Sequence, residues 1–290
     1  MFDELTVGVL FLRLGPTRAS LIQLVPTVIM STISSAAIWT ITFEDDFEGQ
    51  AGDAPCLSRW GRDLGGGGFG NNELESYTDG SANSFLDGEG NLVIEARRET
   101  TTGVDGITRA YSSARLHTKH TFSQRYGRFE ARMKVPEGQG IWSAFWMLGS
   151  NIDRVGWPNC GEIDILESVG PFPKTAYATI HGPGYSAGNP IQGSLTIDHP
   201  LSDDFHVYGI EWEQDQIRWY FDGENYATIS RNHVGDQPWP FDHPFHLLLN
   251  LAVGGYWPGE PDSTTKFPQR LTIDYVRVFA LASDETTGQR

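Results

Sequence analysis

Apolar residues in this chain gather in short runs. Leu92 to Arg98, Gly127 to Val135, Ile141 to Leu148, Glu162 to Val169, Ala176 to His181, Phe205 to Trp212, Ile217 to Phe221, Phe245 to Val253 and Leu271 to Phe279 are rich in β-branched and aromatic residues. That composition suits strands packed on a pleated face. Turn clusters part the runs: Glu213 to Gln216 closes a hairpin and Asp222-Gly223 supplies another turn. No ten-residue amphipathic helix stands out, nor any internal repeat or linker. The pattern predicts one all-β domain over residues 39–290, an antiparallel sandwich, with short helical turns near Leu201 to Phe205.

Residues 1–38 read differently. Leu21 to Ile38 is mostly apolar, Arg13 and Arg18 precede it, and Ser35-Ala36-Ala37 stands near its end. Small residues after an apolar core are the mark of a cleavable secretory leader. A membrane anchor of minimum length, interrupted by Pro26, and an upstream start-site artefact are the alternatives. The leader reading predicts a secreted protein with no stable membrane association once the leader is removed.

The chain has 290 residues, enough for a large core, and its 33 glycines and 12 % aromatics suit a sandwich with many turns. Its 37 acidic and 21 basic residues leave a net charge of −16. Such a charge disfavours nucleic acid and anionic membranes as partners, and favours an uncharged substrate over a sulfated one. Cys56 and Cys160 allow at most one disulfide, and sequence leaves a bridge and a buried free thiol both open. No Cys/His cluster has zinc spacing, and a monomer is expected.

The most informative segment is Gly161-Glu-Ile-Asp-Ile-Leu-Glu167, with three carboxylates in an otherwise apolar, β-branched run. In a regular strand Glu162 and Asp164 share a face and Glu167 points away. A β-bulge near Ile165 and Leu166 would return Glu167 to that face. Paired carboxyl groups are what retaining glycoside hydrolysis uses, one as nucleophile and one as proton donor. An acidic edge strand or part of a cation site has the same spacing.

Just upstream, Trp142 and Trp146 fall on one face of an extended chain, about 13 Å apart. Beside the acids, and with Trp257 in another glycine-rich loop, they read as a platform for the apolar faces of sugar rings. Sandwich core is the alternative.

From about Phe43 to Phe279 the chain resembles glycoside hydrolase family 16, in its bacterial laminarinase branch. The resemblance rests on Gly65-Gly-Gly-Gly-Phe-Gly-Asn-Asn-Glu-Leu74, Trp142 to Gly149, the acid run, Thr179-Ile-His-Gly-Pro-Gly-Tyr185, Phe245 to Gly259 and Asp274-Tyr-Val-Arg-Val278. It implies a concanavalin-A-like jelly roll with an open cleft on the concave sheet. It also implies an endo-acting β-1,3-glucanase, with mixed-linkage β-1,3-1,4 cleavage left open and a β-glucan polysaccharide as its partner. Transglycosylation, hydrolysis of galactans such as agar or carrageenan, and a non-catalytic β-glucan-binding module that has lost the acids are the alternatives. By the same resemblance Glu162 is the nucleophile, Glu167 the general acid/base, and Asp164 tunes both. Asn72, Arg115, Trp142 and Trp146 would bind the non-reducing side, with His181 close to the acids and Trp257 and Gln269 at the rim. Arg115 equally suits a structural ion pair. No cofactor is implied for catalysis. A structural Ca²⁺ on the convex face is implied, held by Asp46, the Gly90 carbonyl and Asp274; many relatives have glutamate where this chain has Asp46.

Overall fold

A computed structural model describes residues 38–282; the leader reading of residues 1–38 thus lies almost wholly outside the described residues. In chain order the strands are β1 (Trp39–Asp45), β2 (Gly61–Asp63), β3 (Glu75–Tyr77), β4 (Ser84–Leu86), β5 (Leu92–Thr102) and β6 (Thr108–Ser113). Next come β7 (Arg115–His117), β8 (Gly127–Lys134), β9 (Ile141–Gly149), β10 (Glu162–Val169), β11 (Thr175–His181) and β12 (Ile191–Thr196). The last five are β13 (His206–Trp212), β14 (Gln216–Phe221), β15 (Glu224–Ser230), β16 (Phe245–Val253) and β17 (Gln269–Leu281).

They form two sheets. Seven strands run in the order β12-β11-β10-β9-β16-β7-β2; ten form the other, β15-β14-β13-β8-β17-β5-β6-β3, with β1 on β17 and β4 on β5. Pairing is antiparallel except for the short β3–β6 ladder, which is parallel. The nine apolar runs all became strands; the added ones are mainly short, edge or half-exposed, such as β12, whose residues are all partly or fully exposed. Leu201 to Phe205 forms turns and bends without the expected helical turn. Helix is confined, among the described residues, to Ile152–Val155 and a 3-10 turn at Arg231–Val234.

One continuous core joins the sheets. Ile163, Ile165 and Leu166 of β10 enter it together with Phe129, Trp212 and Trp219 of the ten-stranded sheet, all at most 1 % exposed. The seven-stranded sheet therefore turns its other face outward, and its register fixes which side chains stand on that face. One row crosses it as Thr179, Asp164, Trp146, Leu248 and His117; the next as Tyr177, Glu167, Ala144, Asn250, Arg115 and Asp63. Neighbouring strands lie ~4.8 Å apart, so the second row extends ~14 Å from Glu167 to Arg115.

Candidate active site

Gly161 turns the chain into β10 with a φ of 73°, and a Cβ there would lie 2.9 Å from the Phe245 ring. Only glycine meets both demands. Along β10, Asp164 pairs with Trp146 of β9, whereas Leu166 pairs with the next residue, Phe145, leaving Ile165 as the extra one. The bulge thus lies where the acid spacing predicts it. It sends two successive apolar side chains into the core and brings Glu167 onto the face of Glu162 and Asp164. At the bulge the Asp164 carbonyl accepts the indole N–H of fully buried Trp219 across the sandwich, at 2.7 Å.

Six side chains surround the acids. Trp157 Nε1 donates to Glu162 Oε2 at 2.6 Å. His181 Nε2 lies 3.4 Å from Asp164 Oδ2 and 3.9 Å from Glu162 Oε1. Thr179 donates its hydroxyl to Glu167 Oε2 at 2.9 Å and accepts from Gln192 Nε2 at 3.1 Å. Trp146 and Tyr177 flank β10 on either side.

Burial is the main cause that raises the pKa of all three carboxyls. The charge of Asp164 raises Glu162 and Glu167 further, while His181 opposes the shift at both. At Glu162 the Trp157 N–H also favours the ionised form; at Glu167 the Thr179 hydroxyl does so. Burial and mutual repulsion therefore favour a proton shared within the cluster over three separate charges. Donor atoms of Glu162, Asp164 and His181 lie within 4.8 Å of one another, a set that could also accept a divalent cation.

The glycone-side candidates divide. Trp142 and Trp146 do share the outer face, both partly exposed. Trp146 donates Nε1 to Asn250 Oδ1 at 2.7 Å, and Arg115 stacks on its ring at 4.7 Å. Arg115 also stacks on Phe69 at 5.0 Å and pairs with Asp63 at 2.9 Å, so it braces Trp146 as well as facing the cleft. Trp142 meets Trp257 edge to face, and Trp257 meets Tyr177, with ring centres 5.5 and 4.9 Å apart. Trp257 therefore forms a wall. Asn72 is exposed at the tip of the glycine-rich loop, with φ 57°. Gln269 begins β17 in the ten-stranded sheet and donates to the Lys266 carbonyl at 2.6 Å, and its amide lies beside Gly138 in the loop that Gln139 ties to Pro258.

Sequence reasoning passed over Trp157, Thr179, Gln192 and Asn250. Thr179 and Asn250 lie inside motifs already singled out, and strand alternation from His181 would have placed Thr179 on the same face. Trp157 and Gln192 had no such signal, because a turn and a neighbouring strand bring them in.

The sequence model of glycosyl hydrolases family 16 matches residues 72–277. The chain belongs to this family. A beta-glucanase of Rhodothermus marinus is 40 % identical over 251 residues, covering 83 % of this chain and 85 % of that protein. The catalytic domain of an endo-1,3-beta-glucanase (laminarinase) from Thermotoga petrophila has 45 % identity and a TM-score of 0.80, covering 85 % of this chain and all of that one. The endo-beta-1,3-glucanase of Pyrococcus furiosus gives 45 % and 0.80, covering 84 % and 95 %.

In this family 16 protein the three residues expected to hold calcium lie along one seam, with Asp46 and Gly90 adjacent. Strand β17 pairs with β5 up to Ile273–Leu92 and with β1 from Val276–Asp45, so Asp274 faces the gap between the two partners. Gly90 and Asp46 flank that gap, and a Cβ on Gly90 would lie 3.9 Å from the Asp46 carbonyl oxygen. The carboxylates are turned to arginines: Asp46 Oδ1 accepts from Arg277 at 2.8 Å and Asp274 Oδ2 from Arg132 at 2.6 Å. Main-chain oxygens and the remaining carboxylate oxygens are the donors left, a hard set that fits Ca²⁺.

Both cysteines of the family 16 chain are free, Cys56 exposed and Cys160 buried. Burial, and then the charge of Glu162, push the Cys160 thiol up to about 11, which keeps it unreactive at neutral pH.

Proposed function

We propose that this chain hydrolyses internal β-1,3-glucosidic bonds of a polymeric β-glucan with retention of configuration. The observation that carries the reading is the β10 bulge, which presents Glu162, Asp164 and Glu167 together on an open face floored by Trp146. Ionised Glu162 attacks the anomeric carbon while Glu167 gives its proton to the leaving oxygen; Glu167 then takes a proton from the water that releases the glycosyl group from Glu162. Trp157 and His181 steady the charge on Glu162, and Asp164, hydrogen-bonded to Glu162, takes up the shared proton when Glu162 ionises.

A beta-1,3-glucan-binding protein of Penaeus monodon is also a relative, 35 % identical over 199 residues. The complete acid set favours an enzyme over a binding module. Time-resolved sizing of products from laminarin, mixed-linkage glucan and agarose tests the reading. Early laminarin oligomers of mixed size are expected; binding without cleavage of any glucan would overturn it. The mixed-linkage arm sets the breadth.

Removing the Thr179 hydroxyl takes away a group that favours ionised Glu167. Thr179→Val is expected to raise the pKa of Glu167 further, moving the alkaline limb of kcat/KM upward, and to lower kcat up to ~100-fold through misplacement of the carboxyl. An unmoved limb would remove Thr179 from the acid's control.

Asp46, Gly90 and Asp274 would hold a structural calcium that ties β1 and β5 to β17. Millimolar Ca²⁺ added to chelator-treated protein is expected to raise Tm by several degrees, since ~100-fold saturation is worth ~2.7 kcal/mol. An unchanged Tm would exclude the ion. A polymer too large to enter cells and the apolar segment Leu21 to Ile38 both support export, which N-terminal sequencing of secreted protein tests. A monomer is the expected state.

A further inference from the structure

A second carboxyl pair lies under the wall of the face, unused by the chemistry above. Glu73 and Glu75 are 2 % and 0 % exposed and within hydrogen-bonding reach of each other. Their donors are divided unequally. Glu73 accepts from Asn71 Nδ2 at 3.2 Å on one oxygen and from the Tyr77 hydroxyl at 2.9 Å on the other. Glu75 accepts the Val253 N–H on Oε2 at 2.7 Å, while its Oε1 is buried with no donor. Two buried carboxylates with neither directly bonded to a base would be strongly unfavourable. A proton on Glu75 Oε1 turns the orphan acceptor into a donor aimed at Glu73.

We propose that Glu75 is a neutral acid that donates to Glu73, and that this shared proton positions the sugar-binding wall and Trp146. Hydrogen bonds lead outward from the pair in two directions. Asn71 accepts the Tyr256 N–H on its carbonyl at 2.9 Å, and Leu74 N–H donates to the Val253 carbonyl at 2.7 Å, tying the glycine-rich loop to the loop that carries Trp257. In the other direction Tyr77 accepts from Asn250 Nδ2 at 3.3 Å, and Asn250 accepts from Trp146 at 2.7 Å. Glu75 is a positioning residue, and the proposal rests on the reading that this face binds glucan.

The charged and titratable groups around the pair are few. Tyr77 lies on the same strand, and Arg115 of β7 acts on Tyr77 while pairing with Asp63. On β6, Tyr111 opposes Glu75 in register and takes its hydrogen bond from Arg98. Asn250 and Val253 of β16 are neutral. Burial first, and the charge of Glu73 second, push Glu75 well above the ordinary carboxyl range. The sign follows: below that raised pKa the clamp is closed, and as pH rises through it the proton is lost and the two charges repel.

The test compares laminarin KM and kcat across neutral and alkaline pH for the unmodified chain, Glu75→Gln and Glu75→Leu, with infrared difference spectra for the protonated-carboxyl band. Glutamine offers an oxygen to Val253 and an N–H to Glu73 at every pH, so it replaces the shared proton permanently. The unmodified chain is expected to show KM rising about tenfold toward alkaline pH, about one hydrogen bond's worth, relative to a flat Glu75→Gln. Glu75→Leu is expected to raise KM about tenfold at all pH with kcat within about threefold. A KM that rises equally in Glu75→Gln, or a difference spectrum with no carboxyl band, would overturn the proposal; both comparisons hold even where Glu75→Leu does not fold. If laminarin is not cleaved at all, the glucanase reading fails, and the infrared difference judges the shared proton independently.

Discussion

Glu162→Gln is expected to lose at least about 10⁴-fold in kcat on laminarin, because the amide cannot form the glycosyl ester. The fold should survive and gain in thermal stability. Burial raises the folded-state pKa of Glu162 to about 8, above its unfolded value, so stability is fully present below the unfolded pKa and is lost as pH rises through the folded one. Glutamine removes that ionisation, and a Tm equal to or above that of the unmodified protein, with the gap widening as pH rises from the unfolded to the folded pKa and level beyond it, checks it. Glu167→Gln should fail differently. Its loss in kcat/KM, which reports the first step, is expected to be large on glucan, which needs a proton on the leaving oxygen, and much smaller on an aryl glycoside whose leaving group needs none. Equal losses on both substrates, or an active Glu162→Gln enzyme, would overturn the assignment of roles.

Trp219→Ala is expected to cost about 3–5 kcal/mol of stability, the range for truncating a buried aromatic. Trp219 is fully buried, and its N–H satisfies the Asp164 carbonyl at the bulge. Trp219→Phe separates packing from hydrogen bonding: it keeps most of the apolar volume but orphans the carbonyl, for about 1–3 kcal/mol. Both variants should lower kcat as well, since the bulge sets the direction of Glu167. Thermal melting with kcat on laminarin checks this; a Trp219→Phe protein with unchanged Tm and kcat would show that the indole N–H does not hold the bulge.

The strands were legible because half-buried β-structure writes its period into the chain: Phe129, Ala131 and Met133 of β8 are each fully buried and alternate with partly exposed or polar neighbours. Edge strands such as β12 were not, because the inward face is only half buried and carries just Ile191, Gly193 and Leu195, too weak an alternation to stand out. The bulge could be read from three acids whose spacing a regular strand cannot bring to one face. Trp142 and Trp146 could likewise be placed together, but the conversion of Trp257 into a wall depends on ring contacts with Trp142 and Tyr177.

Sequence by itself determined the family, the sandwich and the acids of β10, since each is written in local order: strand period, motif, and one residue too many between Asp164 and Glu167. Only the tertiary structure decided what surrounds them. Gln192 reaches Thr179 from a neighbouring strand, Trp219 reaches Asp164 from the opposite sheet, and Asn250 of β16 holds the Trp146 indole. Asp164 and Trp219 are 55 positions apart, and Trp146 and Asn250 are 104 apart. Such partners are chosen by how whole strands pair and pack, and no local pattern specifies that choice.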